Sequence, residues 1–401
     1  MKLGNRIFAA ALCVALGIAS LTGCGTSKID GSKTVVTVND EKVPLGVVSF
    51  LAKYQQAETY AMYSQYFGST TMFDTVADSS TGSTYGDDLR SSTLTEIEDL
   101  VLVSQHASDY SVALTDEENT KIETIAQSYI DSNTEEVRNK VGASKDNVIK
   151  LLQLLTIKSD MLDPMAADVD TNVTTEESQQ TSVSYVTVEM ATDSDSSSTT
   201  STSSGTDSVN PEEGMTTEQK NEYRLANAQK VLDAMKSQTD VAGADMTTVA
   251  QTVDSSYKAT TGQFTTNNKT DTYLDSSIVE AVDGLKDGTM VDHVVTSSDS
   301  TKYYVVRLDK VNDTDKTASK AKSILAQRKS DNYDKMLADW RDASTITVDQ
   351  DVLSSLKIAD SDPVTVAVES TAADSTATST ATSTAASTAA STAASTASSA
   401  S

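Results

Sequence analysis

His106 and His293 are the only histidines in the chain, and no second ligand is spaced near either. A metal site or an imidazole base needs such a neighbour, so both read as surface or satisfied structural residues. Asp168-Val-Asp170-Thr-Asn172 has the oxygen-donor spacing of the first half of a calcium loop. Its sixth position is Val173 where the sharp turn needs glycine, and its twelfth is Gln179 where a bidentate glutamate closes the shell. It therefore reads as an acidic linker. The chain contains no Gly-x-Ser-x-Gly elbow to present a serine nucleophile and no phosphate-binding glycine loop. These residues imply no metal and no cofactor.

A thiol remains. Met1 to Arg6 is a positively charged start, and the apolar run Ile7 to Ser20 is too short to cross a bilayer comfortably. Leu21-Thr22-Gly23-Cys24 then looks like the bacterial lipobox, in which the cysteine is diacylated and becomes the new N-terminus. The resemblance implies loss of residues 1–23 and a lipid anchor at Cys24 on the outer face of the cytoplasmic membrane. The competing reading is an ordinary secretory signal with a chance cysteine. Cys13, the other cysteine, lies in the discarded run, so the mature chain forms no internal disulfide and no thiolate metal site.

The formal charge of −27 argues against nucleic acid, whose affinity depends on neutralising phosphates. It also argues against tight binding of the body to an anionic surface. Hydrophobic content is 38%, and the deficit is concentrated in two places. The Ser/Thr/Asp-rich insertion 191–214 and the Ala/Ser/Thr tail 362–401 have too little apolar surface to offset their ordering entropy, so both are expected to be disordered. The tail reads as a spacer, a glycosylation substrate or a plain extension. What is left, about 280 residues, suffices for two packed units.

Val35 to Val43 reads as strand, Asn-Asp turn and strand, with Pro44 opening a helix to Phe67. Helices are predicted over 92–110, 116–131, 145–163 and 316–343, with a polar loop at 77–88. The second of these starts at a capping box, Thr115 with Glu118. Between 181 and 310 the texture changes. A β-branched strand at Ser182–Val188 is followed by helices near 217–238 and 246–253, the segment Thr261-Gly262-Gln263-Phe264, a short helix at 276–282, and the strand Tyr303–Leu308.

Gly262 with Phe264, Leu285-Lys-Asp-Gly288 with Met290 and Val291, and Tyr303 with Val305-Val306 follow in the order of the parvulin motifs. This segment thus resembles the parvulin family of peptidyl-prolyl isomerases. The strand–turn–helix entry at Val38–Val43 is similar to that of PrsA/SurA-type foldases. That resemblance implies an α+β chain, in which a mostly helical chaperone domain, built from N- and C-terminal segments, surrounds a small parvulin-like domain. The expected bounds are a signal peptide at 1–23, an anchor linker at 24–33, the helical domain at 34–170, the parvulin-like domain at 181–310 and a returning helix segment at 316–358.

By the same resemblance Tyr185 and Tyr304 occupy the two family histidine positions, and Asp254 falls near the third polar position. Phe264, Met246 and Gly262 would bind substrate; whether the two tyrosines face each other across a pocket floored by Phe264 is left open by the sequence. The resemblance implies a foldase for unfolded secreted client proteins, held at the membrane through Cys24. It leaves open whether X-Pro isomerisation survives or the fold serves a non-catalytic holdase. Tyr54, Tyr60, Tyr63, Tyr66, Phe67 and Phe73 admit two readings, as core of the helical domain or as rings lining a client groove.

Overall fold

The computed structural model describes residues 21–22, 28–68, 71–192 and 211–366. Cys24, most of the signal segment, residues 193–210 and the tail from 367 lie outside the described residues. The chain is α+β and divides into two compact units, Met1–Met161 with Trp340–Ser401, and Leu162–Asp339. The divisions fall inside two helices, whereas the expected domain bounds lay at 170/181 and 310/316.

In the first unit a two-residue strand, β1 (Leu21–Thr22), precedes the hairpin of β2 (Thr34–Val38) and β3 (Glu41–Pro44). Asn39 takes the left-handed conformation, φ 54°, that a two-residue hairpin turn requires. Pro44 stays extended and hands the chain to α1 (Leu45–Phe67). The first three turns of α1 are buried all round, Glu58 is the first exposed residue, and most positions beyond Tyr60 are exposed.

Next come a small hairpin, β4 (Val76–Asp78) and β5 (Ser83–Thr84), and α2 (Tyr85–Gln105). The sequence placed a loop here and started the helix at 92. Thr84 starts it seven residues earlier, because its side chain accepts from the Asp87 amide while Asp87 returns the bond to the Thr84 amide. The same reciprocal pair, Thr115 with Glu118, starts α3 (Asp116–Ser132) as expected. Thr115→Ala should cost about 1 kcal/mol in a urea melt, the usual loss for an N-cap. A helix not read from sequence, α4 (Glu135–Val141), is too short to show a period and ends at Gly142, φ 71°. The long α5 (Lys145–Met165) follows.

The second unit opens with α6 (Thr175–Ser178) and β6 (Gln180–Glu189). It continues through α7 (Thr217–Lys236), α8 (Met246–Ala250), β7 (Ala259–Thr265), α9 (Ser276–Ala281), β8 (Thr289–Met290), β9 (Val295–Thr296) and β10 (Lys302–Lys310). The sheet is antiparallel in the order β7-β6-β10-β8, with β9 also on β10. Strand alternation sends Val186, Val188 and Val305 to one face, under Val231, Leu232 and Met235 of α7. Val183, Val306 and Leu308 go to the other, under Ile278 and Val279 of α9.

Residues 191–192 and 211–214, expected within the disordered insertion, are among the described residues. The Ala191 amide donates to Asn221 Oδ1 at 2.6 Å, and Glu212 pairs with Arg224 at 2.7 Å, which ties both ends of 191–214 to α7.

Most of α10 (Thr314–Asp342) belongs to this second unit, and Trp340 begins the return to the first. There β11 (Ile346–Val348) adds to β2, and α11 (Gln350–Ser354), a strap over 355–364 and β12 (Thr365–Val366) complete the fold, β12 pairing with β1. The expected disordered tail from 362 is therefore corrected. Val364 is buried and Asp362 is gripped by Lys53 and Lys140, because those two buried ammonium groups require a counter-charge.

Candidate functional site

Tyr185 on β6 lies opposite Val306 of β10, and Tyr304 lies opposite Thr187, so the two tyrosines are diagonal cross-strand neighbours. Alternation points both to the α9 face. Their ring centroids are 5.7 Å apart with planes at 87°, an edge-to-face contact. Tyr304 is 6% exposed and Phe264 is 4% exposed within the same apolar cluster. The two phenol rings therefore pack against each other beside Phe264. Burial, reinforced by the negative Asp275 and the neighbouring Tyr185, pushes the Tyr304 phenol up to about 12. At neutral pH it is a neutral, weakly acidic hydroxyl.

Gly262 pairs with Val183 and faces the same way as Phe264. A Cβ at Gly262 would collide with the Leu274 side chain, so the glycine permits close packing of the loop before α9. Four of the six expected site residues, Tyr185, Tyr304, Gly262 and Phe264, therefore share one face.

Met246 does not join them. It is the first residue of α8, whose N-terminus Asp245 caps, and it packs with Val231 and Leu232 against the opposite face of the sheet. Asp254 lies in the loop after α8, where Val253 and Tyr257 pack on that same opposite side. Its carboxylate accepts from the Ser256 hydroxyl at 2.7 Å and amide at 2.8 Å, and those bonds hold its pKa below the ordinary value. The carboxylate serves a turn, separated from the tyrosines by the sheet itself.

His106 caps α2. Its Nδ1 is 2.9 Å from Asp109, and its ring stacks on Trp340 with centroids 4.2 Å apart and planes at 9°. His293 is exposed beside Asp292. Among the described residues no group of three or more His, Cys, Asp or Glu side chains is placed to hold a metal ion.

The aromatic set divides between its two readings. Tyr54, Tyr60 and Phe73 are core, Tyr60 and Phe73 meeting edge to face at 5.0 Å. Met62, Tyr66 and Phe67, on the last two turns of α1, are 48%, 73% and 68% exposed. The stripe Tyr60, Tyr63, Phe67 has helical spacing whether buried or not, so its period alone did not distinguish the two.

The chain matches no protein-family model and no curated protein sequence. Among the described residues no helix is long and apolar enough to cross a membrane.

Proposed function

We propose that the mature chain is a lipid-anchored, extracytoplasmic chaperone of the foldase type, in which the parvulin-like unit binds client chains without isomerising them. The observation that carries this reading is the exposed apolar end of α1. Three large side chains within six residues of one helix stand out from an otherwise strongly acidic chain. Exposed apolar patches rimmed by polar residues mark interaction surfaces, and methionine adapts to many partners. Unfolded secreted segments offer the complementary surface. The order of strand, helices, strand, helix and strands in one antiparallel sheet supports the parvulin-like part.

The non-catalytic part rests on the tyrosine contact. Lowering an imide rotation barrier of about 20 kcal/mol requires the X-Pro bond to enter a desolvated pocket beside polar groups. The Tyr185 and Tyr304 rings pack against each other in that position, and Tyr304 ionises far above neutrality.

Three assays on the full chain test the proposal. Met62→Ser/Tyr66→Ser/Phe67→Ser should weaken suppression of client aggregation by about tenfold while leaving the melting temperature within a few degrees of wild type, because exposed positions contribute little to stability. Unchanged suppression would remove the client-binding reading. In a proline-limited refolding assay the wild-type chain should give no acceleration; a catalysed phase would make it an isomerase. Cys24→Ser should release the chain from the membrane fraction, whereas retention would remove the lipid anchor.

A further inference from the structure

The C-terminal strap sits in a seat that reads backbone. Arg90 Nη1 donates to the Leu356 carbonyl at 3.4 Å, and Lys53 Nζ to the carbonyls of Lys357 at 2.7 Å and Asp362 at 3.3 Å. Gln56 Nε2 and the Tyr60 hydroxyl both donate to the Ala359 carbonyl, at 3.1 and 3.3 Å, and Lys140 Nζ donates to that of Pro363 at 3.0 Å. Carbonyls occur in every peptide, so these bonds do not depend on the sequence seated. Gly86 completes the fit, since a Cβ there would overlap the Ile358 carbonyl oxygen.

Only a few side chains of the strap are recognised. Leu356, Ile358 and Val364 are buried, with exposed Lys357 between the first two. The Asp362 carboxylate meets Lys140 at 2.8 Å and Lys53 at 3.2 Å. Asp360 accepts from the amides of Met72, Phe73 and Asp74 at 3.0–3.1 Å and from the Tyr60 hydroxyl at 3.0 Å. Because the Asp362 carboxylate meets two buried lysines, the seat favours an occupant with a carboxylate at that position.

We infer that this seat is a peptide-binding groove occupied in cis, which takes an extended client segment when the strap leaves. The segment would carry two apolar side chains two residues apart and a carboxylate four residues further on. The inference rests on the chaperone reading and gives it a second, chemically selective site.

The test uses the full-length chain and a fluorescent peptide of residues 350–366. The peptide should bind full-length Asp362→Ala, whose own strap is weakened, about tenfold tighter than wild type. Substituting Asp362→Ala in the peptide should weaken its binding by about tenfold, the usual effect of losing a charge-assisted hydrogen bond. Absence of binding to both chains, or equal binding of both peptides, overturns the inference. So does a strap-exchanged dimer of wild-type chains, which would make the occupant a second copy.

Where Asp362→Ala fails to fold, hydrogen exchange on the wild-type chain decides. Amides of 356–364 should exchange at least about tenfold faster than those of α2 through local opening; exchange only by global unfolding overturns the inference. Aggregation suppression that persists without peptide binding removes the groove alone and leaves the chaperone reading standing.

Discussion

Asp362→Ala should destabilise the first unit by about 3–5 kcal/mol, the usual cost of removing one partner from a buried ion pair. Lys53 and Lys140 are 0% and 1% exposed, and Asp362 is the carboxylate they share. Removing it takes from both buried ammonium groups the carboxylate they share. Lys53→Met should cost less, because it leaves a one-to-one Lys140–Asp362 pair and fills the space with an apolar stem.

The pH dependence has a defined sign. Burial pushes the Asp362 pKa up, but Lys140 and Lys53 outweigh it and hold the carboxyl below its ordinary value. Its contribution is therefore present above the unfolded carboxylate range, about 4, and is lost as pH falls through the lower folded value. Lys53 runs differently. Burial lowers its pKa against the pull of Asp362, so stability rises as pH climbs from its folded value towards the unfolded lysine range. Urea melts across pH should show an acid limb in wild type that is shallower in Asp362→Ala. An equal acid limb in both would mean that Asp362 does not carry the linkage.

What the sequence showed depended on how far each feature is local. The hairpin at 34–44 and the capping box at Thr115 follow from neighbouring residues and stand where their patterns placed them. The predicted apolar stripe of α7, Leu225 to Met235, is buried only from Ala228 on and leaves Leu225 exposed. The early start of α2 was equally local, a Thr84–Asp87 pair obscured by the polar residues around it. The strap was not legible, because Asp362 meets Lys53 and Lys140 across most of the chain length. Its Ala/Ser/Thr-rich continuation also drew the expected disorder back as far as 362. Strand alternation brought Tyr185 and Tyr304 to one face and Gly262 with Phe264 beside them. Met246 and Asp254 were misplaced because motif order does not say which face of a sheet a helix covers. That was decided by α7 and α8 packing together on the Val186 side.

Tyr304→Ala should cost about 3–5 kcal/mol, the range for truncating a buried aromatic ring, while Tyr304→Phe should lie near wild type at neutral pH. A double-mutant cycle of Tyr185→Ala with Tyr304→Ala should return a coupling of about 0.5–1.5 kcal/mol for the edge-to-face pair. Alkaline pH separates the hydroxyl from the ring. The folded phenol titrates at about 12 against an unfolded value near 10, so the folded state holds its proton longer. Stability from this group is complete below about pH 10 and is lost as pH rises from there to about 12. Tyr304→Phe should flatten that alkaline limb without moving the neutral value. An unchanged limb would mean that the Tyr304 hydroxyl carries no proton linkage to folding. The double change Tyr185→His with Tyr304→His probes the same question from the chemical side. Two smaller, titratable rings would open the contact and place imidazoles where the proposed parvulin likeness puts histidines, and loss of stability without gain of isomerase activity is the expected result. A gain would show that packing of the phenols, and nothing else in the unit, stands between this fold and catalysis.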